Sequence, residues 1–485
     1  MNRRPDGDAP ARIRMLRWAW DVWRAGQGPP SGIGRRQRAR VRDLLAFART
    51  RSPFYRRLCQ ALPAGTEELR AIPPVTRRQL MASFDDVVTD PAVTRAGVEA
   101  FVSDRGVDAR PYLGRYHVWT SYGGTAEPRI FVHDDGALAI YRAVSLMRGW
   151  LPWMTPRRLS AILRSGDRVA CVIGTGGRFP SIELLKHQQR HRPWPFNRFR
   201  VFSAQLPIPQ LVDGLNEFRP AELIGYPSML ASLAHEQMAG RLTIRPALIG
   251  SGGEWLGPDN RRLIETAFGC SLRENYGAAE FPQAIWDCRH GRLHVSADWL
   301  ILEPVDERYE PVPPGRESHT VLVTNLANRV MPIIRYDVGD SVMEYADRCR
   351  CGSPLPAIQV AGRQDDVLVM RGPTGEPVRL IPITIGMAIQ RTPGLRRFQI
   401  IQTGETRLSL RLEIDPDASV PLVWEKAIGR LREYLAARSL TEVQIDPSPD
   451  PPGVDPRNGK MRRIWSQLQE PPRTSLGRDG GHRQA

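Results

Sequence analysis

The spacing of apolar residues divides the chain into a long region of alternating strands and helices and a shorter region with a different pattern. Residues 34–60 carry Val41, Leu44, Leu45 and Ala48 at helical spacing, and the pattern stops before Ser52 and Pro53. An amphipathic helix is predicted there. Short helical pieces follow over 66–90, broken by Pro73 and Pro74. Further on, apolar runs at 168–174, 221–225, 247–250 and 320–324 alternate with helical patterns at 211–218, 228–238 and 259–268. Short continuous runs between helices predict a largely parallel sheet covered on both faces.

The pattern changes over 361–382, where glycines, Pro373, Gly375, Pro377 and Pro382 punctuate one short apolar run, 367–370. Strand patterns at 398–402, 406–414 and 442–445, with a helix near 421–438, predict a small α+β unit. The end of the chain is polar and rich in Gly and Arg, which predicts a disordered tail. The predicted class is α/β, with a large layered domain over 1–364, a small α+β domain over 365–468 and a tail over 469–485.

At 485 residues and 41% hydrophobic, the chain can bury cores in more than one domain. No apolar run approaches the ~18–20 residues of a membrane span. The N-terminus is charged from Arg3 and has no apolar signal core. A cytoplasmic protein without a membrane partner is expected. The net charge of +16 comes from arginines scattered from Arg3 to Arg483, without a dense tract or an aromatic–basic motif. Nucleic acid is therefore not an expected partner. The basic field would instead steer anionic small molecules. Six cysteines are too few for a disulfide scaffold.

Six segments are candidates for chemistry. In TSYGGTAEP (120–128), adjacent glycines between two strand patterns let the backbone approach a ligand and present N–H groups to anionic oxygens. Ser121 and Thr125 add hydroxyl donors. NYGAAE (275–280) sets a tyrosine and a lone carboxylate around a glycine turn, and Gly252-Gly253-Glu254 ends a strand pattern. RYDVGD (335–340), GRQDD (362–366) and the lysine of NGKMRR (458–463) complete the set. Each alone reads equally well as a hairpin, a surface turn, an ion pair or a solvated lysine. Cys288, His294, Cys349 and Cys351 form the donor set of a structural zinc site, with His290 a rival ligand; three unrelated cysteines are the alternative. His117, His133, His187, His191, His235 and His319 have no partner pattern for nucleophilic catalysis, and no Gly-x-Ser-x-Gly elbow occurs. The tryptophans, Trp119, Trp286 and Trp299 among them, read as core or pocket wall.

Taken together and in this order, the segments resemble the acyl-adenylate-forming enzymes, most closely the phenylacetate–CoA ligase-like branch, over about residues 35–465. The resemblance implies a large N-terminal adenylation domain and a small mobile α+β C-terminal domain. It makes 120–128 the phosphate loop, with Ser121, Gly123, Gly124 and Thr125 as its binding residues. Glu127 stands where the family has a lysine, and Ala279 where it has a threonine. Tyr276 and Gly277 would border adenine, with Gly253 and Glu254 between the adenine and acyl pockets. Glu280 would bind magnesium, and Asp340 would accept the ribose hydroxyls. Arg363 would hold the ribose and α-phosphate side, Asp365 would be the hinge, and Lys460 would bridge the substrate carboxylate and the α-phosphate. Some members carry a similar Cys/His cluster. The implied reaction joins a carboxylic acid, aryl or arylacetic, to Mg-ATP as acyl-AMP and then to coenzyme A, in a monomer or homodimer. Two alternatives share these residues. One is an amide- or ester-forming ligase of specialised-metabolite or polymer biosynthesis. The other is a binding homologue with an impaired site, as Glu127 would allow.

Overall fold

The computed structural model describes residues 11–63, 68–104, 110–121, 129–175, 198–363, 366–456 and 459–468. The chain divides into two compact units, Met1–Gln364 with Gly453–Met461, and Asp365–Pro452 with Arg462–Ala485. The break after Gln364 falls where the composition changes. Gly453–Met461, which carries Lys460, belongs to the first unit and not, as the sequence pattern implied, to the second. The expected tail over 469–485 lies outside the described residues.

The first unit is built on a mixed nine-stranded sheet. Its strands run in the order Asp340–Glu344, Ala357–Arg363, Leu293–Val295, Phe281–Asp287, Leu272–Ala278, Leu248–Gly252, Glu222–Gly225, Arg168–Ile173, Arg198–Ser203. The five strands from Leu272–Ala278 to Arg198–Ser203 are parallel. The helices Ile208–Phe218, Pro227–Met238 and Pro258–Phe268 lie between them along the chain. Leu211, Leu215, Leu230, Leu233 and Ile264 bury their helix faces against Ala170, Val172, Leu223, Ile249 and Leu272 of the strands. Each fully buried aliphatic side chain of this kind contributes about 1.5–3 kcal/mol.

The other four strands pair antiparallel, so the predicted parallel order holds for only part of the sheet. For the pairings of Leu272–Ala278 with Phe281–Asp287 and of Phe281–Asp287 with Leu293–Val295, the reason is connection length. Ala278 and Phe281 are joined by a tight turn, as are Asp287 and Leu293, and such short links can only reverse the chain.

A second core of the same unit gathers a three-stranded antiparallel sheet, Leu300–Val305, Thr320–Asn325 and Ile333–Asp337, with the hairpin Tyr116–Ser121/Arg129–Asp134. Leu44, Leu45, Tyr55, Trp119, Phe131, Val323 and Tyr336 are buried in it. The predicted helix spans Pro30–Arg51. Ser52 stops it and caps the next helix, Pro53–Leu58, by accepting from the Tyr55 N–H. A preceding helix, Ala11–Gln27, was not foreseen.

The second unit is α+β. Gln444–Pro447, Arg407–Ile414, Leu395–Gly404 and Ile464–Ser466 form a four-stranded sheet in that order. Helices Pro382–Gln390 and Val420–Ala436 bury Ile385, Ile389, Ala427 and Leu431 with Ile400, Leu408 and Leu410.

Candidate active site

In an open parallel sheet, side chains that follow the carboxyl ends of adjacent strands converge on one edge. Here those ends deliver Gly174 after Arg168–Ile173, Tyr226 after Glu222–Gly225, and Gly253 and Glu254 after Leu248–Gly252. Lys460 lies against this edge. Its Nζ is 5.6 Å from the centre of the Tyr226 ring. Gly253 has φ +82°, and a Cβ there would stand 3.3 Å from Lys460 Nζ and 3.2 Å from the Tyr226 ring. A side chain at position 253 would crowd the lysine and strain the turn.

The lysine is positioned through its neighbours. Glu254 accepts from the Met461 N–H at 2.7 Å and from the Ser228 N–H, at the start of helix Pro227–Met238, at 3.0 Å. The Tyr226 hydroxyl accepts from the Gly174 N–H at 3.1 Å. Gly459, at φ +69°, places its Cα where a Cβ would press on Ala204 at 3.2 Å. Burial lowers the Lys460 pKa, and the charges of Glu254 and Asp340 oppose that while Arg363 and Arg129 add to it. These four charged side chains therefore share one electrostatic neighbourhood with the ammonium.

Asp340 forms the second cluster. The Tyr276 hydroxyl donates to Asp340 Oδ2 at 2.6 Å, and Arg363 Nε lies 3.4 Å from Oδ1. The antiparallel pairing of Asp340 with Arg363 sets that distance. Burial, then the Asp340 charge, pushes the Tyr276 phenol well up, so it remains a donor. Asp337 closes the turn that precedes Asp340 by accepting from the Gly339 N–H at 3.0 Å and from the Thr320 hydroxyl at 2.6 Å. Arg335 takes a left-handed φ of 47° and is held by the carbonyls of Arg70 and Ile72 and by Glu303.

Glu280 forms the third. Its carboxylate is buried 3.5 Å from the guanidinium of Arg129, which is buried too. Ser121 pairs with Arg129 across the hairpin. The strand that follows the Gly-rich loop thus brings Arg129 beside Glu280. Gly123, Gly124, Thr125 and Glu127 of that loop, and Asp365, lie outside the described residues. Gly277 shares its strand with Tyr276.

A buried polar chain behind Glu280 went unnoticed in the sequence. His133 Nε2 is 3.0 Å from the Ala279 carbonyl, which makes it the N–H donor and leaves Nδ1 to accept from Tyr141 or Asn328, each at 3.2 Å. Asn325 Nδ2 donates to the Glu280 carbonyl at 2.7 Å and to the Tyr141 hydroxyl at 2.8 Å. Trp119 stacks on the His133 ring at 3.9 Å. Burial holds the His133 pKa down at about 3. The neutral ring thereby pins the peptide that carries Glu280. Arg129 and His133 were legible only as polar residues at the two ends of the apolar run in RIFVH.

A separate cluster brings together Cys288, His294, Cys349 and Cys351, whose donor atoms all lie within 4.8 Å of one another. Cys288 Sγ is 3.6 Å from Cys349 Sγ, and Cys351 Sγ is 3.3 Å from His294 Nε2. His294 Nδ1 meets the Leu355 carbonyl at 3.1 Å, which fixes the tautomer with Nε2 as the ligating atom. The N–H groups of His290 and Ser353 point at the Cys288 and Cys351 sulfurs. The rival His290 is exposed and contributes its backbone, not its ring, to this group.

No protein-family model matches the chain. The chain is 26% identical over 280 residues to phenylacetate-coenzyme A ligase of Thermus thermophilus, a match covering 52% of this chain and 61% of that one. It is 27% identical over 133 residues to protein CapK of Staphylococcus aureus, covering 27% of this chain and 28% of the relative. The chain thus matches less than two thirds of either relative. Among solved structures, 2-hydroxyisobutyryl-CoA ligase in the postadenylation state with R3-HIB-AMP superposes with a TM-score of 0.65 at 21% identity, over 91% of both chains. The same ligase with 2-HIB-AMP and CoA gives a TM-score of 0.54 at 21% identity. The fold is that of these ligases.

Proposed function

We propose that this chain, which belongs to the acyl-adenylate-forming superfamily in its phenylacetate–CoA ligase-like branch, activates a carboxylic acid with ATP to an acyl-AMP and passes the acyl group to coenzyme A. The observation that carries this reading is the placement of Lys460 at the carboxyl ends of the parallel strands, its Nζ 5.6 Å from the Tyr226 ring centre and its segment held by Glu254 through the Met461 N–H. A carboxylate and a polyphosphate repel one another. An ammonium between them lowers the barrier by stabilising the charge that develops as they react.

Each residue then has a role. Lys460 bridges the attacking carboxylate and the α-phosphate. Glu254 holds the Lys460 segment through the Met461 N–H. Asp340 grips the ribose hydroxyls with the acceptor capacity left beyond Tyr276, and Arg363 adds a cation on the phosphate side. Tyr276 and Gly277 border the adenine. Ser121 and the loop of Gly123, Gly124 and Thr125 cradle the phosphates. Glu280 fits a magnesium ligand, because Arg129 at 3.5 Å leaves its carboxylate with acceptor capacity for a hard cation. When bound, Mg2+ neutralises polyphosphate charge. Asp365 is the proposed hinge between the large N-terminal domain and the small C-terminal one.

Cys288, His294, Cys349 and Cys351 fit a structural zinc, which would clip the 288–294 turn to the 349–355 loop. Three thiolates and an imidazole already oriented by the Leu355 carbonyl are a closed set, with no open position for catalysis.

The acid is proposed to be aryl or arylacetic. Mass spectrometry of reactions containing ATP, Mg2+ and a panel of acids tests this reading, with coenzyme A or an amine added. An acyl-CoA product supports it. An amide formed in preference points to a different acceptor for the same adenylate.

A further inference from the structure

The helix Ala11–Gln27 presents an apolar ridge to solvent. Leu16, Trp20 and Trp23 recur at i, i+4 and i+7 and are 69%, 61% and 43% exposed. The opposite side of the helix is fixed. Ala19, Val22 and Ala25 are buried, and the helix lies against the helix Asp135–Val144. The ridge cannot turn inward without uncovering that packed face. Trp20 and Trp23 stack on each other, ring centres 4.8 Å apart at 27°. They form one stacked aromatic pair.

Cations flank the pair. Arg17 and Arg24 are exposed on the same helix, and Arg35, Arg38 and Arg42 on the following helix, Pro30–Arg51. The two helices are tied side by side by Asp21, which pairs with both Arg36 and Arg40. Against the scatter of arginines read along the whole chain, residues 11–51 concentrate eleven of them with only two acidic residues, Asp21 and Asp43. Asp21 is thus neutralised, and the exposed face is strongly basic.

We propose that this helix pair docks the protein on the surface of an anionic lipid bilayer. The layout matches that surface. Tryptophan and leucine enter the boundary between headgroups and acyl chains, while arginines beside them meet lipid phosphates. No described helix is long and apolar enough to cross a membrane, so the association is with the surface. Nothing in it depends on the catalytic reading.

Co-sedimentation of the full chain with vesicles tests it. Vesicles of phosphatidylcholine containing phosphatidylglycerol should bind the protein. Phosphatidylcholine alone should not, and added salt should weaken binding. The double variant Trp20→Glu/Trp23→Glu should lose about tenfold or more in affinity with its thermal unfolding unchanged. Arg24→Glu/Arg35→Glu should likewise lose binding to the anionic vesicles, with thermal unfolding unchanged. A milder variant, Trp20→Phe/Trp23→Phe, should fold normally and lose the fluorescence quenching that brominated lipid causes in the wild type. Equal sedimentation of wild type and ridge variants would overturn the proposal. So would a ridge whose substitution changes self-association instead of vesicle binding, which would make the occupant a second copy of this chain.

Discussion

His133→Phe separates the positioning of Glu280 from the rest of the structure. The phenyl ring keeps the stack on Trp119 but removes the donor to the Ala279 carbonyl and the acceptor facing Tyr141 and Asn328. Leaving buried partners unsatisfied costs about 1–3 kcal/mol each, so a loss of about 2–4 kcal/mol is expected at neutral pH. The pH dependence is more specific. The folded His133 pKa, near 3, lies below the ordinary 6.5. The unfolded chain therefore takes up a proton that the folded chain does not, and stability must fall as pH falls from 6.5 toward 3. Between about pH 7 and about pH 5, one such histidine contributes about 2 kcal/mol of lost stability. Urea unfolding of wild type and variant at both pH values measures it. The wild type should show this additional loss and the variant should not. The Mg2+ concentration for half-maximal pyrophosphate exchange should also rise in the variant. An identical pH slope in the two proteins would refute the buried neutral histidine, and with it the polar chain behind Glu280.

Three other outcomes follow from the site. Lys460→Ala should abolish acyl-AMP formation, a loss of about 3 kcal/mol in barrier stabilisation, while thiolysis of supplied acyl-AMP persists; equal loss of both half-reactions would remove Lys460 from a role confined to adenylation. Asp340→Ala should raise the KM for ATP by about tenfold or more, since hydrogen bonds to a charged acceptor are worth about 1.5–3 kcal/mol; an unchanged KM contradicts the ribose assignment. Protein purified without chelator should contain about one zinc per chain, and its removal should lower Tm more than it slows turnover. Absence of zinc by metal analysis would remove that site.

The sequence pattern made most of the parallel half of the large sheet legible. Arg168–Ile173, Glu222–Gly225 and Leu248–Gly252 are short continuous apolar runs, and helices separate Glu222–Gly225, Leu248–Gly252 and Leu272–Ala278 along the chain. Arg198–Ser203 did not read as a strand, because Arg198 and Arg200 break its apolar run. The antiparallel half was hidden. Phe281–Asp287 contains Pro282, and Gln283 takes a left-handed φ of 54°, so the strand has no clean alternation. Leu293–Val295 is too short to read. The helix Ala11–Gln27 escaped because tryptophans and arginines dominate it and three of its largest side chains face solvent. In the site, motif residues such as Asp340, Arg363 and Lys460 were found because each follows a glycine turn. Their supports were not. Arg129 meets Glu280 across 151 positions and Asn325 reaches Tyr141 across 184, separations that no local spacing encodes. The placement of Gly453–Met461 with the large unit was likewise invisible, since it rests on contacts such as Glu254 with the Met461 N–H.

Carboxylate-dependent exchange of labelled pyrophosphate into ATP tests the central claim most directly, because it reports acyl-AMP formation without regard to the acceptor. With a panel of aryl, arylacetic and aliphatic acids and Mg2+, the wild type should catalyse exchange with at least one acid, and Lys460→Ala should not. Exchange that is absent with every acid, or that persists undiminished in Lys460→Ala, would contradict the account.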